Sequence, residues 1–201
     1  MYDKKILERH YIPRINSRDK GHVILDWESE EAHLGRFDAL LEHVDLTGQS
    51  ILDVGCGIGD LLGYLKDRGI AAEYTGVDIL PEMVEEARRR HPSGTFISGD
   101  LLEEIRLDEG SFDIVYSSGM FNLKVGDNQR FLEQWLEEFF RLARKQVIFN
   151  LLDPGHPIQR DIYYYFDPQE VRQIVLHHTP HVDIAYDYVP KDYTVFARVS
   201  P

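Results

Sequence analysis

The residues Ile51-Leu52-Asp53-Val54 form an apolar run too short for a helix, and they lead directly into Gly55-Cys56-Gly57-Ile58-Gly59. A run of that length bounded by glycines predicts a buried strand. The glycines permit a backbone turn with φ > 0 and let another group approach without meeting a Cβ. A regular alternation follows. Asp60–Arg68 reads as a helix with Leu61, Leu62 and Leu65 on one side, and Tyr74–Asp78 as a second strand. Pro81 suits the first turn of a helix continued by Met83, Val84 and Ala87. Thr95–Ser98 and Phe112–Ser117 are predicted strands, Asn128–Ala143 is a helix aligning Phe131, Trp135, Phe139 and Leu142, and Gln146–Leu152 is a fifth strand. Strands separated by helices pair as parallel neighbours through crossovers, so the sheet should be covered on both faces.

The flanks differ from this core. The first 28 residues are polar, mixed and irregular; Ser29 then caps a helix whose stripe is Leu34, Phe37, Leu40 and Leu41. Near the end, Asp167-Pro168-Gln169-Glu170 opens a last helix with a capping-box pattern. Val182–Val189 and Tyr193–Val199 are two strands joined only by Pro190-Lys191-Asp192, a link that permits an antiparallel hairpin and excludes a helical crossover. The expected fold class is therefore α/β: a doubly wound, mostly parallel, seven-stranded sheet with a C-terminal antiparallel hairpin.

Charge limits the partners. With 22 Lys and Arg against 35 Asp and Glu, the formal net charge is −13, the reverse of the basic face that tracks a phosphate backbone. The run Arg88-Arg89-Arg90 reads as cations at a helix C-terminus. No apolar stretch approaches the roughly 20 residues of a membrane helix, and the N-terminal residues lack the pattern of a secretory signal. The single cysteine, Cys56, cannot form an internal disulfide, which suits a reducing cytoplasm. Neither nucleic acid nor membrane is expected as a partner, and no metal: His177, His178 and His181 cluster without a suitably spaced carboxylate.

A glycine loop alone also reads as a tight strand-to-helix turn. Two features narrow it. The dinucleotide pattern G-x-G-x-x-G fails, because Asp60 stands where the third glycine would fall. A carboxylate at the helix N-terminus repels a pyrophosphate but not a sulfonium or ammonium. Further on, Asp78 ends the second strand, where an acidic side chain can accept both hydroxyls of a ribose. A phosphate-free nucleoside joined to a cation describes S-adenosylmethionine (SAM).

The motifs carry a family resemblance. Ile51-Leu52-Asp53-Val54-Gly55-Cys56-Gly57-Ile58-Gly59-Asp60 resembles the first motif of class I SAM-dependent methyltransferases. Tyr74-Thr75-Gly76-Val77-Asp78-Ile79 with Pro81-Glu82-Met83 is similar to the second, Phe96-Ile97-Ser98-Gly99-Asp100-Leu101 to the third and Phe112-Asp113-Ile114-Val115-Tyr116-Ser117 to the fourth. The resemblance implies that Gly55, Gly57 and the backbone of Cys56 line the methionine part of SAM, with Asp53 nearby. It implies that Asp78 holds the ribose, that Ile79 and Leu101 pack on the adenine, that Asp100 accepts from its amino group, and that Ser117 faces the methionine end. Asp60 reads as a helix cap and a ligand contact alike. One domain over 1–201 is expected, with an N-terminal lid and helix (1–45), a SAM-binding core (46–152) and a C-terminal helix and hairpin (153–201).

Other residues are candidates by position. Arg36 sits on the stripe-bearing helix within reach of the SAM carboxylate, or is a surface arginine; Trp27 packs over the cofactor or staples the helix start. His10, Tyr11 and Asn122 are the candidates for the catalytic groups, and none stands out. The aromatic run Tyr163-Tyr164-Tyr165-Phe166 suits a planar or apolar substrate, or the core. The leading function is methyl transfer from SAM to a small molecule. The alternatives are a methyltransferase for RNA or protein, which the acidity opposes; an NAD-dependent dehydrogenase, which Asp53 and Asp60 oppose; and a SAM-binding protein without turnover.

Overall fold

The computed structural model describes residues 2–15, 18–186 and 188–199. Its elements, in chain order, are α1 (Lys4–Tyr11), a 3-10 turn (Ile12–Arg14), α2 (Gly21–Ile24), α3 (Glu30–His43), β1 (Ser50–Val54), α4 (Asp60–Asp67), β2 (Glu73–Asp78) and α5 (Pro81–Arg90). After these come β3 (Thr95–Ser98), β4 (Phe112–Ser117), α6 (Asn128–Leu142), β5 (Ala143–Leu152), α7 (Pro168–Leu176), β6 (Val182–Ala185) and β7 (Asp192–Arg198). The strands form one seven-stranded sheet in the order β3-β2-β1-β4-β5-β7-β6. The pairs β1–β2, β1–β4, β2–β3 and β4–β5 are parallel, whereas β7 runs antiparallel to both β5 and β6. The mostly parallel sheet with a terminal antiparallel hairpin is thus the architecture expected from the sequence.

Successive strand residues point to opposite faces, and here both faces are apolar. Ile51, Ile114 and Ile148 pack with Phe37 and Leu40 of α3, Leu61 and Leu65 of α4, and Val84 and Ala87 of α5. Their neighbours Leu52, Val115, Val147 and Phe149 pack with Phe131, Leu132 and Phe139 of α6 and Val171 and Val175 of α7. That two-sided burial is why the strands read as continuous apolar runs. Caps set the helix starts: the Ser29 hydroxyl accepts from the Ala32 N–H at 3.0 Å, and the Asp167 carboxylate accepts from Gln169 and Glu170 at 2.8 and 3.2 Å.

Three elements differ from the sequence expectation. β5 begins at Ala143 rather than Gln146, because the chain passes from α6 straight into extended backbone at φ −84°, ψ 135°. β6 ends at Ala185 instead of continuing to Val189; that expected strand also crosses position 187, which lies outside the described residues, as do positions 1, 16, 17, 200 and 201. The N-terminal segment contains two helices and a 3-10 turn where an irregular stretch was expected. In α1 only Ile6, Leu7 and Tyr11 face the core, a stripe too brief to show a period. Among the described residues, no helix is long and apolar enough to cross a membrane.

The end of the sheet opposite the glycine loop is tied by one carboxylate. Asp113 accepts from the Ser50 N–H at 3.0 Å and hydroxyl at 3.1 Å, and pairs with Arg144 and Lys145, each at 3.2 Å. These donors, Ser50 first, hold the Asp113 carboxyl down to about 2. A carboxyl depressed on folding stabilises the protein above its unfolded value of about 4, and that contribution fades as pH falls toward 2. Asp113→Ala is expected to lower stability by about 1.5–3 kcal/mol at pH 7. Urea titrations should show the gap between variant and parent closing between pH 4 and 2; a gap independent of pH would contradict the assignment.

Candidate functional site

In this sheet the chain leaves β1 toward β2 and β3 on one side and returns to β4 on the other. The crevice beyond the carboxyl ends of β1 and β4 is where an open α/β sheet binds ligands. The glycine loop lies there. The N–H groups of Gly55 and Cys56 both donate to the Val77 carbonyl, at 2.8 and 3.0 Å, which pins the loop to the end of β2. Gly55, Gly57 and Gly59 have φ of 74°, 54° and 80°, a region that side chains disfavour.

Asp78 holds the loop from the other side. One carboxylate oxygen accepts from the Gly57 N–H at 2.9 Å and the other from the Leu80 N–H at 2.9 Å. A carboxylate offers roughly four lone-pair positions, so both oxygens keep capacity for further donors. Burial pushes this carboxyl up to about 6, while the Leu80 and Gly57 N–H groups restrain the rise. Asp78 and the loop open into a cavity. Its floor includes Val54, Gly55, Gly57, Ile79 and Gly99; Gly119 and Met120 form one wall. Tyr2, Leu7 and Tyr11 of the N-terminal segment, with Trp27, cover it.

The other candidates from the sequence fall into place unevenly. Of them, Gly55, Gly57, Asp78, Ile79 and Tyr11 line this cavity. Asp53 lies beneath it, accepting from the Tyr74 hydroxyl at 2.7 Å, and burial pushes its carboxyl up to about 7 against that bond. The Cys56 side chain turns into the core beside Gly76, so only its backbone belongs to the loop. Asp60, in the first turn of α4, pairs with buried His33 at 2.9 Å. Leu101 is core, and Ser117 is fully buried while its neighbour Ser118 faces the cavity. Asp100 is buried too, one oxygen accepting from the Tyr2 hydroxyl at 2.6 Å and the other from the Leu102 N–H at 2.8 Å.

Arg36 is not brought to the glycine-loop cavity. It is buried, its guanidinium ion-paired with Asp192 and lying 3.7 Å over the Trp27 ring. It lines a second cavity, together with Asn122. The two cavities share Tyr11, Leu25 and Trp27 as a common wall. Beside that wall stands Asp26, which the sequence did not single out. One of its carboxylate oxygens meets the Tyr163 hydroxyl at 2.7 Å, Arg160 and His10 each at 3.2 Å, and Arg14 at 3.7 Å. Its φ of 58° is left-handed, a strained conformation of the kind that collects at functional sites. Against the cost of burial, the Tyr163 hydroxyl and the Arg160 and Arg14 charges keep Asp26 below the usual carboxylate range. Burial and the Arg14 charge lower His10, whereas burial and the charges of Asp78 and Asp26 raise Tyr11. Tyr11 is therefore a hydrogen-bond donor and not a base near neutrality.

Trp27 is held by a glycine. Gly119, at φ 80°, is anchored by its N–H to the Asn150 side-chain oxygen Oδ1 at 2.8 Å, and a Cβ on it would meet the Trp27 ring at 2.6 Å. Gly119→Ala is expected to cost about 1–3 kcal/mol from the left-handed backbone and to displace the Trp27 ring. Because the chain has two tryptophans, emission spectra in a Trp135→Phe background isolate Trp27; unaltered emission and stability would contradict this packing.

Comparison with known proteins places the chain. The family described as "Methyltransferase domain" matches residues 51–146. "Putative methyltransferase Rv1506c" of Mycobacterium tuberculosis is 33% identical over 156 residues, covering 74% of this chain and 92% of that protein. A phthiotriol/phenolphthiotriol dimycocerosates methyltransferase of Mycobacterium leprae is 31% identical over 119 residues, 58% of this chain; the chain spans only 42% of that protein. Among solved structures, magnesium protoporphyrin IX methyltransferase from Synechocystis with bound SAH shares the fold at a TM-score of 0.69 and 17% identity, over 98% of this chain and 100% of that one. The glycine-loop motifs, the sheet and these likenesses agree: the chain belongs to the class I SAM-dependent methyltransferase family.

Proposed function

We propose that the glycine-loop cavity holds SAM and that the enzyme transfers its methyl group to a small-molecule acceptor. The observation that carries this reading is Asp78: a buried carboxylate at the end of β2, bonded to the loop and keeping acceptor capacity on both oxygens. The residues present fit the group. Asp78 takes the ribose hydroxyls, Ile79, Leu80 and Met83 offer an apolar slot for the adenine, and Gly55 and Gly57 leave backbone open to the methionine end. Asp53, Cys56 and Ser117 support the loop and the β4 end from below, and Asp60 and Leu101 do the same for α4 and the adenine side. Asp100 acts through Tyr2, whose phenolic oxygen keeps lone pairs for an adenine N–H after donating to Asp100. Arg36 belongs instead to the neighbouring cavity.

When bound, SAM supplies a methyl carbon on a sulfonium, already a good leaving group. The chain's own task is to hold the acceptor's lone pair in line with that carbon and to exclude water. Tyr11, Leu25 and Trp27 line both cavities, so the space where an acceptor can sit adjoins that of the cofactor. His10, held below its usual value, is neutral near pH 7 but pairs with Asp26 rather than lining either cavity. No side chain is assigned as general base.

A small acceptor is favoured over RNA or protein by the net charge of −13. A cytoplasmic location is part of the same proposal, and the single, buried cysteine suits a reducing compartment. Family membership sets aside the dehydrogenase reading, and turnover separates the enzyme from a SAM-binding protein without activity.

Calorimetry with S-adenosylhomocysteine (SAH) tests the site. Asp78→Asn is expected to weaken SAH at least tenfold, about 1.4 kcal/mol. In the parent, affinity should fall as pH drops through about 6, where the raised Asp78 carboxyl protonates, and this dependence should flatten in the variant. Binding of NAD without SAH would overturn the reading. Transfer of a labelled methyl from SAM to metabolites, but not to transfer RNA or protein, is the expected outcome of an acceptor screen.

A further inference from the structure

The polar groups of the second cavity fall into two sets. The first is charge pairs that already match one another: Arg36 with Asp192, Lys191 with Glu28 at 2.8 Å, and Arg160 with Asp26 at 3.2 Å. Each cation on the wall has its carboxylate, so no surplus charge awaits a phosphate, carboxylate or ammonium. The second set is uncharged. Asn122 is 7% exposed, and its side-chain oxygen has no hydrogen-bond partner. Its backbone is fixed, the N–H donating to Gly119 at 3.2 Å and the carbonyl accepting from Tyr164 at 2.8 Å. A buried acceptor left unpaired costs about 1–3 kcal/mol, so the position calls for a donor. Tyr11 also lines this cavity, and its hydroxyl makes no hydrogen bond among the described residues.

An unpaired acceptor and an unpaired donor on one lining are the complement of a hydroxyl group, which donates to one and accepts from the other. The surrounding walls are aromatic, with Tyr163, Tyr165 and Trp27 on the lining, and flat rings gain most from such walls. Two residues on the rim, Asp26 and Lys191, are the described non-glycine residues with left-handed backbone, at φ 58° and 79°. Strain of that kind persists where a binding site requires it.

We propose that the second cavity is the methyl-acceptor site, and that it takes a neutral, planar ring compound bearing a hydroxyl group, held by Asn122 and Tyr11. This rests on the reading that the cofactor occupies the glycine-loop cavity beside it. The probes are 2-naphthol, 2-naphthoate and 2-methoxynaphthalene, titrated by equilibrium dialysis into full-length protein saturated with SAH. 2-Naphthol should bind at least tenfold tighter than the anion, which meets no free cation, and than the ether, which cannot donate. Asn122→Ala should weaken 2-naphthol at least fivefold and leave SAH affinity within twofold. Tyr165→Ala removes a ring from a partly exposed loop and should weaken 2-naphthol likewise, so the test stands if the Asn122 variant misfolds. Tighter binding of 2-naphthoate, displacement of SAH by 2-naphthol, or equal affinity in both variants would overturn the acceptor assignment while leaving the cofactor reading intact. Failure of SAH to bind the parent protein would instead strike the cofactor reading.

Discussion

The bond between the Asp78 carboxylate and the Gly57 N–H, with its counterpart to the Leu80 N–H, ties three segments that would otherwise only adjoin: the loop after β1, the end of β2 and the start of α5. The loop cannot form its turn without glycines at left-handed φ, and a glycine-rich loop loses much conformational freedom when it is ordered. A buried carboxylate with two backbone donors offsets that loss at the point where the chain reverses. Burial in turn raises the carboxyl's affinity for protons. The same group thus carries structural work and the remaining acceptor capacity that faces the cavity, and any change to it alters both.

Around this tie the molecule has two unequal parts. The sheet and its flanking helices make a framework in which both faces of every central strand are apolar. Over its open end lies the N-terminal segment, attached by discrete polar contacts: the Asp3 N–H to the Val125 carbonyl at 3.1 Å, Tyr2 to Asp100, and His10 and Arg14 to Asp26. The buried Arg36–Asp192 pair links α3 to the start of β7. Desolvation makes such a pair a weak source of stability but costly to break on one side, which suits a contact that fixes orientation between distant segments.

The framework was legible in the sequence because its signals are local. Ile51–Val54 and Phe112–Ser117 are short apolar runs with glycine or serine at their ends, and Ser29, Pro81 and Asp167 mark helix starts by their own chemistry. Gly57, Asp78 and Ile79 were legible for the same reason, through a motif within a single β-α-β stretch. The rest depends on meetings between remote residues. Asp26 gathers His10, Arg14, Arg160 and Tyr163, and no spacing rule connects them. Arg36 had the right helix for the cofactor yet faces Asp192, a residue of the last strand that carried no pairing signal. Tyr2 had none either; its importance comes from where α1 docks, and the α1 stripe was too short to predict any docking.

The wall shared by the two cavities belongs entirely to the first 27 residues: Tyr11, Leu25 and Trp27. The cofactor framework and the partition that shapes the neighbouring chamber are therefore encoded in separate stretches of chain. Substitutions in the leading stretch can reshape the chamber next door while the β1–α4 loop and Asp78 stay as they are. A change of chamber shape can thus arise in the opening segment without re-solving the folding of the sheet.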